Sequence, residues 1–212
     1  MIFKAQISKK TTVLLVVAAV TTSASTASTA PLRFTEACSP HTNIEIVAVG
    51  DVLLHSPLQK QAVSHTDRFK SLWSAVIPYV QRADIAYANL EGPIAANVTK
   101  AGRDISDVRD VGFVFDGDVY STYPMFNYHP HLADDLKDSG FDVVSTANNH
   151  SLDRYSIGAD KTIDELNRVR LAYTGTRKRS ESGSSEFQWH TITRSKGRNI
   201  AWLACLTQTA AH

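Results

Sequence analysis

The chain has 212 residues, of which 43% are hydrophobic and 20% are charged, as in ordinary globular proteins. At roughly 100–200 residues per domain, this length predicts a single domain large enough to bury a core. The formal charge is only +1, from 22 basic and 21 acidic residues. Such a balance excludes the strongly basic class of nucleic-acid-binding proteins and gives no reason to expect an electrostatic membrane partner.

The N-terminal residues have the pattern of a secretory signal peptide. Positive charges from Lys4, Lys9 and Lys10 come first, an apolar run follows from Thr11 to Val20, and a stretch of Thr, Ser and Ala comes next. The apolar run is about half of the roughly 20 residues that a membrane-spanning helix needs, so no stable membrane anchor is expected after cleavage. We predict a signal peptide over residues 1–30, a linker over 31–43, and export to the periplasm or the extracellular space. Cleavage is expected after one of three small residues, Ala24, Ala27 or Ala30.

Two cysteines lie at opposite ends of the predicted mature chain, at Cys38 and Cys205. In an oxidising compartment they could form a disulfide that closes a long loop. The alternative is a pair of unrelated thiols, with Cys205 buried in a strand. The spacing alone leaves both possibilities open, and it does not suggest a cysteine metal site.

Short apolar strands alternate with helical patterns along the rest of the chain. The segment from Ile44 to Val49 is β-branched and almost continuously apolar, which predicts a strand buried on both faces. We predict further strands over Asp84–Leu90, Phe141–Ser145 and Leu171–Tyr173, and a hairpin formed by Gln188–Thr193 and Asn199–Leu206. Helices are predicted over Phe69–Arg82, with Pro78 weakening its middle, and over His129–Ser139 and Gly158–Arg170. This alternation predicts an α/β fold with a layered sheet flanked by helices.

A long polar segment, residues 96–121, interrupts this alternation and is predicted to be a loop, with one strand at Gly112–Phe115. Four aromatic residues follow in or near it, and they are interpreted either as loop packing or as the lining of a groove for a polymer. They are Tyr120, Tyr123, Phe126 and Tyr128.

Polar residues follow three of the predicted strands at the point where each strand ends. They are Asp51 with His55, Asn89 with Glu91, and Asn148 with Asn149 and His150. Each group alone is compatible with an ordinary turn. Together they would meet at the carboxyl ends of the strands, where α/β sheets bind ligands. Oxygen and imidazole donors without thiolates suit Mn, Fe, Zn or Mg, so the sequence predicts a divalent metal site.

These motifs resemble the CapA family of poly-γ-glutamate capsule biosynthesis proteins, which is similar to the calcineurin-like metallophosphoesterases. The resemblance rests on Gly50-Asp51, on Asn89-Leu90-Glu91-Gly92-Pro93-Ile94, and above all on the segment Gly140–Asp153 that ends in Ala-Asn-Asn-His-Ser-Leu-Asp. It implies a metallophosphoesterase-like fold of four layers, α/β/β/α, over residues 44–212.

The resemblance also implies roles for individual residues. Asp51, Glu91 and Asn149 would be metal ligands, and His150 would orient phosphate or protonate the leaving group. Asn148 and Asp153 would be supporting or turn residues. His55 is a further candidate ligand, although the related phosphoesterases usually place this histidine two residues after the aspartate, whereas here it follows Asp51 by four.

The sequence departs from the phosphoesterase pattern after His150. Only His190 and His212 follow, and neither lies in the Gly-His-x-His context that completes the related dimetal sites. We therefore expect a C-terminally incomplete domain that is a phosphoesterase-type hydrolase only if the missing ligands are supplied. The expected substrate is an anionic polymer or a phosphoester, with envelope assembly partners and no nucleic acid. The alternatives are a non-catalytic envelope module that binds a polymer or a partner, and an inert truncated fragment.

Overall fold

The computed structural model describes residues 43–181 and 190–206. All of these residues belong to one unit of the chain, Pro40–His212. The predicted signal peptide, its cleavage sites and Cys38 lie outside the described residues, so these predictions stay predictions.

The centre of the fold is a parallel sheet of four strands that lie side by side in chain order. In this sheet Ala48 lies beside Tyr87, Tyr87 beside Val143, and Val143 beside Ala172. The strands are β1 (Ile46–Val52), β2 (Ile85–Leu90), β3 (Val143–Ser145) and β4 (Ala172–Thr174). The predicted α/β class is thereby confirmed.

Helical segments connect the parallel strands and bury one face of the sheet. Alternate strand residues such as Ala86, Ala88 and Val144 project from this face into a core that includes helix residues Leu132 and Leu166. The helices are α1 (Ser56–Ser64), α2 (Ile77–Val80), α3 (His131–Asp138) and α4 (Tyr155–Arg168), with 3₁₀ turns at Arg68–Leu72 and Arg179–Glu181.

The opposite face of the sheet contacts an antiparallel hairpin, β5 (His190–Ser195) and β6 (Arg198–Leu203). Trp202 stacks on Tyr87, which projects from this face, with ring centroids 5.4 Å apart and planes inclined by 2°. At the turn of the hairpin, Lys196 Nζ donates to Asp84 Oδ2 at 2.6 Å. The predicted hairpin is therefore present, with strand bounds that differ slightly from the predicted ones.

The first strand is not buried on both faces, as its apolar sequence predicts. β1 lies at the edge of the sheet, and its side chains alternate between half-buried and exposed, with Ile46 at 46% exposure. An apolar run shows that the side chains of a strand are suited to burial, but the position of the strand in the sheet decides how many of these side chains are covered.

The predicted helix Phe69–Arg82 is wrong. The structure has a 3₁₀ turn at Arg68–Leu72 and, separately, the short helix α2, in which Pro78 lies in the first turn. Proline lacks an amide hydrogen and fits the first turn of a helix better than its middle, so Pro78 begins a helix here instead of bending one. The helix α1, which begins with Pro57 in its first turn, was not predicted.

The predicted strand at Gly112–Phe115 is also wrong, because this part of the segment contains only turns and irregular backbone. Among the aromatic residues, Tyr120, Phe126 and Tyr128 are buried, which favours loop packing over a groove, whereas Tyr123 is exposed. Cys205 lies beyond the end of β6 and is exposed, so it is not buried in a strand. Its pairing with Cys38 stays a prediction.

Candidate functional site

The carboxyl ends of β1, β2 and β3 bring the predicted polar residues together. In the register of the sheet, Asp51 lies beside Asn89, and Asn89 lies beside Ser145 at the end of β3. The Asn89 side-chain amide donates to Asp51 Oδ1 at 2.8 Å, and the Asn148 amide donates to Asn89 Oδ1 at 3.2 Å. Residues distant in the sequence therefore share one cluster, which we call the strand-end site.

Glu91 lies in the middle of this site and is 9% exposed. Burial raises the pKa of its carboxyl group above the ordinary value, the adjacent Asp51 carboxyl raises it further by charge and by hydrogen bonding, and His150 opposes the change. Glu91 Oε1 lies 4.0 Å from His150 Nε2. The carboxyl groups of Asp51 and Glu91 and the imidazole of His150 therefore lie close together.

The backbone at Glu91 is held by an aromatic residue of the long loop. The Tyr128 hydroxyl donates to the Glu91 carbonyl at 2.8 Å and accepts from the Leu54 amide at 3.2 Å. Gly92 follows with φ of +110°, and a Cβ atom there would lie 3.1 Å from Phe126 and Tyr128. Both the backbone conformation and the close approach of these rings require glycine at this position.

His150 is held by a buried carboxylate three residues later. Asp153 is fully buried, and its Oδ2 lies 2.8 Å from His150 Nδ1 and accepts the Phe126 amide at 2.6 Å. Because a carboxylate only accepts, Nδ1 carries the hydrogen in this pair, and Nε2 is directed to Glu91. The Phe126 ring packs edge-on against His150 at 4.8 Å and fixes the plane of the imidazole.

Arg154, the next residue, ties the long loop to this side of the site. It is completely buried, and its guanidinium donates to carbonyl groups of the loop and to the Ser121 hydroxyl at 2.6 Å. Burial lowers its pKa to about 10, although the carboxylates of Asp153 and Asp118 act in the opposite sense. The carbonyl acceptors belong to Val98, Asp118, Val119, Met125, Phe126 and Asp153.

The other predicted histidine, His55, lies at the start of α1 and is exposed. Its ring packs edge-on against Phe126 at 5.2 Å, and its Nδ1 lies 3.4 Å from the Thr122 hydroxyl. Phe126 thus lies between the two histidines. None of the contacts that the structure describes joins His55 to Asp51 or Glu91, and its role as a ligand stays a prediction.

Asn149 is exposed between buried Asn148 and buried His150. Asn148 donates to the Leu90 carbonyl at 2.9 Å and accepts the His150 amide at 3.2 Å. This agrees with the supporting role predicted for Asn148. The ligand role of Asn149 is not tested by these contacts.

The donor set fits a divalent cation in part. Asp51 and Glu91 supply adjacent carboxyl oxygens, which suit such an ion, and the imidazole of His150, bonded to Asp153 through Nδ1, lies beside Glu91. Over residues 43–181 and 190–206, no group of three or more His, Cys, Asp or Glu side chains is arranged to hold a metal ion.

Comparison with known families gives a match that includes every residue of this site. The family of bacterial capsule synthesis proteins, PGA_cap, matches residues 45–212. The chain belongs to this family. The match confirms the CapA-type resemblance, and the parallel four-stranded sheet with flanking helices is consistent with the metallophosphoesterase-like α/β fold that this family implies. Capsule synthesis is an activity of the cell envelope, so family membership associates the chain with the envelope.

Two relatives of the chain come from Sinorhizobium fredii (strain NBRC 101917 / NGR234), the uncharacterized proteins y4sH and y4uA. Each is 29% identical over 165 residues, which cover 76% of this chain and 30% of the relative. The chain therefore spans less than a third of the length of these two relatives. In the part of the chain that the structure describes, no helix has the length and apolar character needed to cross a membrane.

Several residues of the site were missed or underrated from the sequence. Asp153 was predicted to be a supporting or turn residue. Its position three residues after His150 allows the two side chains to meet, but the sequence does not distinguish this pairing from an ordinary turn preference. Phe126 was noted only as one of four aromatic residues, and its contact with His150 was not predicted. Arg154, which precedes α4, was not singled out, because its partners are backbone groups of the loop that the sequence does not place. Asn89 was grouped correctly with Glu91, but the direction of its side chain depends on Asn148.

Proposed function

We propose that this capsule-family chain is an exported, metal-dependent phosphoesterase-like protein that acts on an anionic polymer or a phosphoester in the cell envelope. The observation behind this proposal is the meeting of Asp51, Glu91 and His150 at the ends of adjacent parallel strands. Asn149 and His55 are proposed to add ligands at the exposed side. The proposed metal is Mn, Fe, Zn or Mg, in keeping with the oxygen and nitrogen donors.

The carboxyl groups of Asp51 and Glu91 would hold the cation. A divalent ion in such a site supplies a water of lowered pKa and neutralises charge on a phosphoryl group. Burial, and after it the adjacent Asp51 carboxyl, raises the pKa of Glu91, and a cation between the two carboxyl groups would relieve both effects.

His150 would handle the proton of the leaving group. Its Nδ1–H is bonded to Asp153, so a proton gained by the ring resides on Nε2, the nitrogen on the side of Glu91. The buried carboxylate stabilises the resulting imidazolium and keeps the ring in one orientation. The same Nε2–H could instead orient a phosphate oxygen.

The test is to measure metal content and hydrolysis of bis(p-nitrophenyl) phosphate by the full chain. We expect Asp51→Ala and His150→Ala each to lower the hydrolysis rate by on the order of 100-fold or more. The control is His65→Ala, because His65 is exposed and lies at the other end of α1 from His55, about 15 Å along the helix. Absence of bound metal, with hydrolysis unchanged in both site variants, would overturn the proposal.

The second candidate is a non-catalytic envelope module that binds a polymer or a partner through the same strand-end site. The partial donor set favours it, since residues 43–181 and 190–206 contain no three-residue group arranged to hold a metal. Binding of a soluble polyanion by the metal-free chain, weakened by the same two variants while no hydrolysis is detected, would support this function over the first.

A further inference from the structure

A row of side-chain amides crosses the ends of three neighbouring strands. Asn148, after β3, donates from Nδ2 to Asn89 Oδ1 at 3.2 Å, and Asn89, in β2, donates from Nδ2 to Asp51 Oδ1, in β1, at 2.8 Å. These hydrogen bonds join two amides and a carboxylate, and we call them the amide row. None of these residues is adjacent to another in the sequence.

The direction of the amide row is determined at its buried end. Asn148 Nδ2 also donates to the Leu90 backbone carbonyl at 2.9 Å. A carbonyl can only accept, so the NH₂ group of Asn148 must face Leu90 and not its own oxygen. Because Asn148 donates, Asn89 must present its side-chain oxygen to Asn148. The NH₂ group of Asn89 therefore faces Asp51.

The oxygen of Asn148 is also fixed. Asn148 Oδ1 accepts the backbone amide of His150 at 3.2 Å and faces the Ser151 hydroxyl at 3.5 Å. One buried asparagine therefore holds the His150 turn with its oxygen and, through Asn89, the Asp51 carboxylate with its nitrogen. The two sides of the strand-end site are linked by a single path of hydrogen bonds.

We propose that Asn89 is a positioning residue that holds the Asp51 carboxylate for its ligand. The proposal rests on the proposed metal-binding function of the same site. The Asn89 NH₂ group occupies Oδ1 of Asp51 and leaves Oδ2 for a cation or for Glu91. Asn89 faces Asp51 with its NH₂ group, which donates and cannot coordinate a cation, while its oxygen faces Asn148. Hydrogen-bond partners of this kind typically contribute 10–100-fold to metal affinity.

Co²⁺ binding by the full chain, measured by isothermal titration calorimetry together with the melting temperature, tests the proposal. We expect Asn89→Ala to weaken Co²⁺ binding by about 10–100-fold. The matched control is Asn127→Ala, because Asn127 is a fully buried asparagine whose side chain bonds only to Ala95 and Val119 backbone groups among the described contacts. The control is expected to lower the melting temperature more than Asn89→Ala does, with Co²⁺ affinity within about twofold of that of the unmodified chain.

Affinity within twofold of the unmodified chain in Asn89→Ala would overturn the positioning role. Equal losses of affinity in Asn89→Ala and Asn127→Ala would also overturn it, because the effect would then follow stability alone. Absence of Co²⁺ binding by the unmodified chain would instead contradict the proposed function.

The amide row itself can be tested without metal, by the side-chain ¹⁵N–¹H resonances of its asparagines. We expect Asp51→Ala to shift the Asn89 side-chain amide and Asn89→Ala to shift that of Asn148, while Asn127→Ala leaves both in place. If Asp51→Ala leaves the Asn89 resonance unmoved, the hydrogen bond to Asp51 is absent in solution and the proposal fails whatever the metal data show.

Discussion

The two sides of the strand-end site differ in how their side chains are held. On the buried side, His150, Asp153 and Asn148 are each less than a tenth exposed and are joined by hydrogen bonds to one another or to the loop. On the exposed side, Asp51 and His55 are open to solvent and have few partners. The difference indicates that the buried side provides rigidity and that the exposed side is where a ligand enters and binds. Changes on the buried side should therefore lower stability in addition to any effect on hydrolysis, whereas changes on the exposed side should affect binding with little change in stability.

The largest effect is expected from Arg154→Met on the buried side. The substitution keeps an apolar stem but leaves several buried carbonyl groups of the loop without a donor, so the free energy of unfolding should fall by about 3–5 kcal/mol. Urea denaturation measures this loss. The matched control Arg194→Met, on the exposed face of the hairpin, should change stability by less than about 0.5 kcal/mol. Similar results for both variants would show that the buried guanidinium of Arg154 does not stabilise this side of the site.

A smaller loss is expected from Asp153→Asn. The substitution removes the negative charge from the group that accepts both the Phe126 amide and His150 Nδ1 on one oxygen, Asp153 Oδ2, so both hydrogen bonds are weakened. We expect the free energy of unfolding to fall by about 2–3 kcal/mol, and hydrolysis of bis(p-nitrophenyl) phosphate to fall by on the order of 100-fold or more. Asp138→Asn is the control, since Asp138 is exposed and, among the described ion pairs, contacts Lys70 alone, at 3.6 Å. Full hydrolysis in Asp153→Asn would show that the pair does not position His150.

His129 lies outside the strand-end site and provides a comparison with His150. It is largely buried, but the described hydrogen bonds do not pair its ring with a carboxylate as Asp153 pairs with His150. Burial lowers the pKa of His129 to about 4, and His131 lowers it further by charge. The unfolded chain therefore takes up a proton near pH 6.5 that the folded chain accepts only near pH 4, so stability should be lost as the pH falls through this window.

His129→Asn isolates this effect, because the asparagine oxygen can still accept the His131 amide that His129 Nδ1 accepts now. We expect the variant to lose less stability than the unmodified chain between pH 7.5 and 4.5, by on the order of 1 kcal/mol after allowance for the partial exposure of the ring. Glu91 and Asp135 have raised pKa values and act with the opposite sign, but they are common to both chains. The exposed His190→Asn serves as the control. Identical pH profiles for His129→Asn and the unmodified chain would contradict the assignment.

The smallest change in stability is expected on the exposed side, from His55→Gln. The ring contacts only Phe126 and Thr122 among the described contacts, so the free energy of unfolding should change by less than about 0.5 kcal/mol. If His55 is a ligand, Co²⁺ affinity should fall by at least about tenfold. A large loss of stability with unchanged affinity would place His55 with the buried side of the site.

The strand ends and their polar residues were predictable because two local signals coincide there. Apolar, β-branched runs predict buried strands, and Asp, Asn and Glu follow them directly, as at Asn89 and Asn148. The parallel arrangement then brings residues together that the sequence separates. This is why the cluster of Asp51, Glu91 and His150 was predicted as a unit even though no single motif identifies it.

The long loop was not predictable in the same way. It contains no periodic pattern, and its shape depends on buried side chains such as Arg154 and Asn127 that bond backbone groups far away in the sequence. The wrong prediction of one helix over residues 69–82 has a related cause. The apolar residues there belong to two short helical segments and not to one continuous helix. Periodicity reports which residues are buried, and it does not report where the chain turns between them.

The order of the strands has a consequence for the sequence in which the two faces of the sheet close as the protein folds. Because successive parallel strands are added on the same side and such connections are right-handed in about 98% of cases, all crossover segments fall on one face, where α1, α3 and α4 share a single core. That face can close before the hairpin has docked. The face bearing Tyr87 stays exposed to other proteins until the hairpin docks and Trp202 covers it.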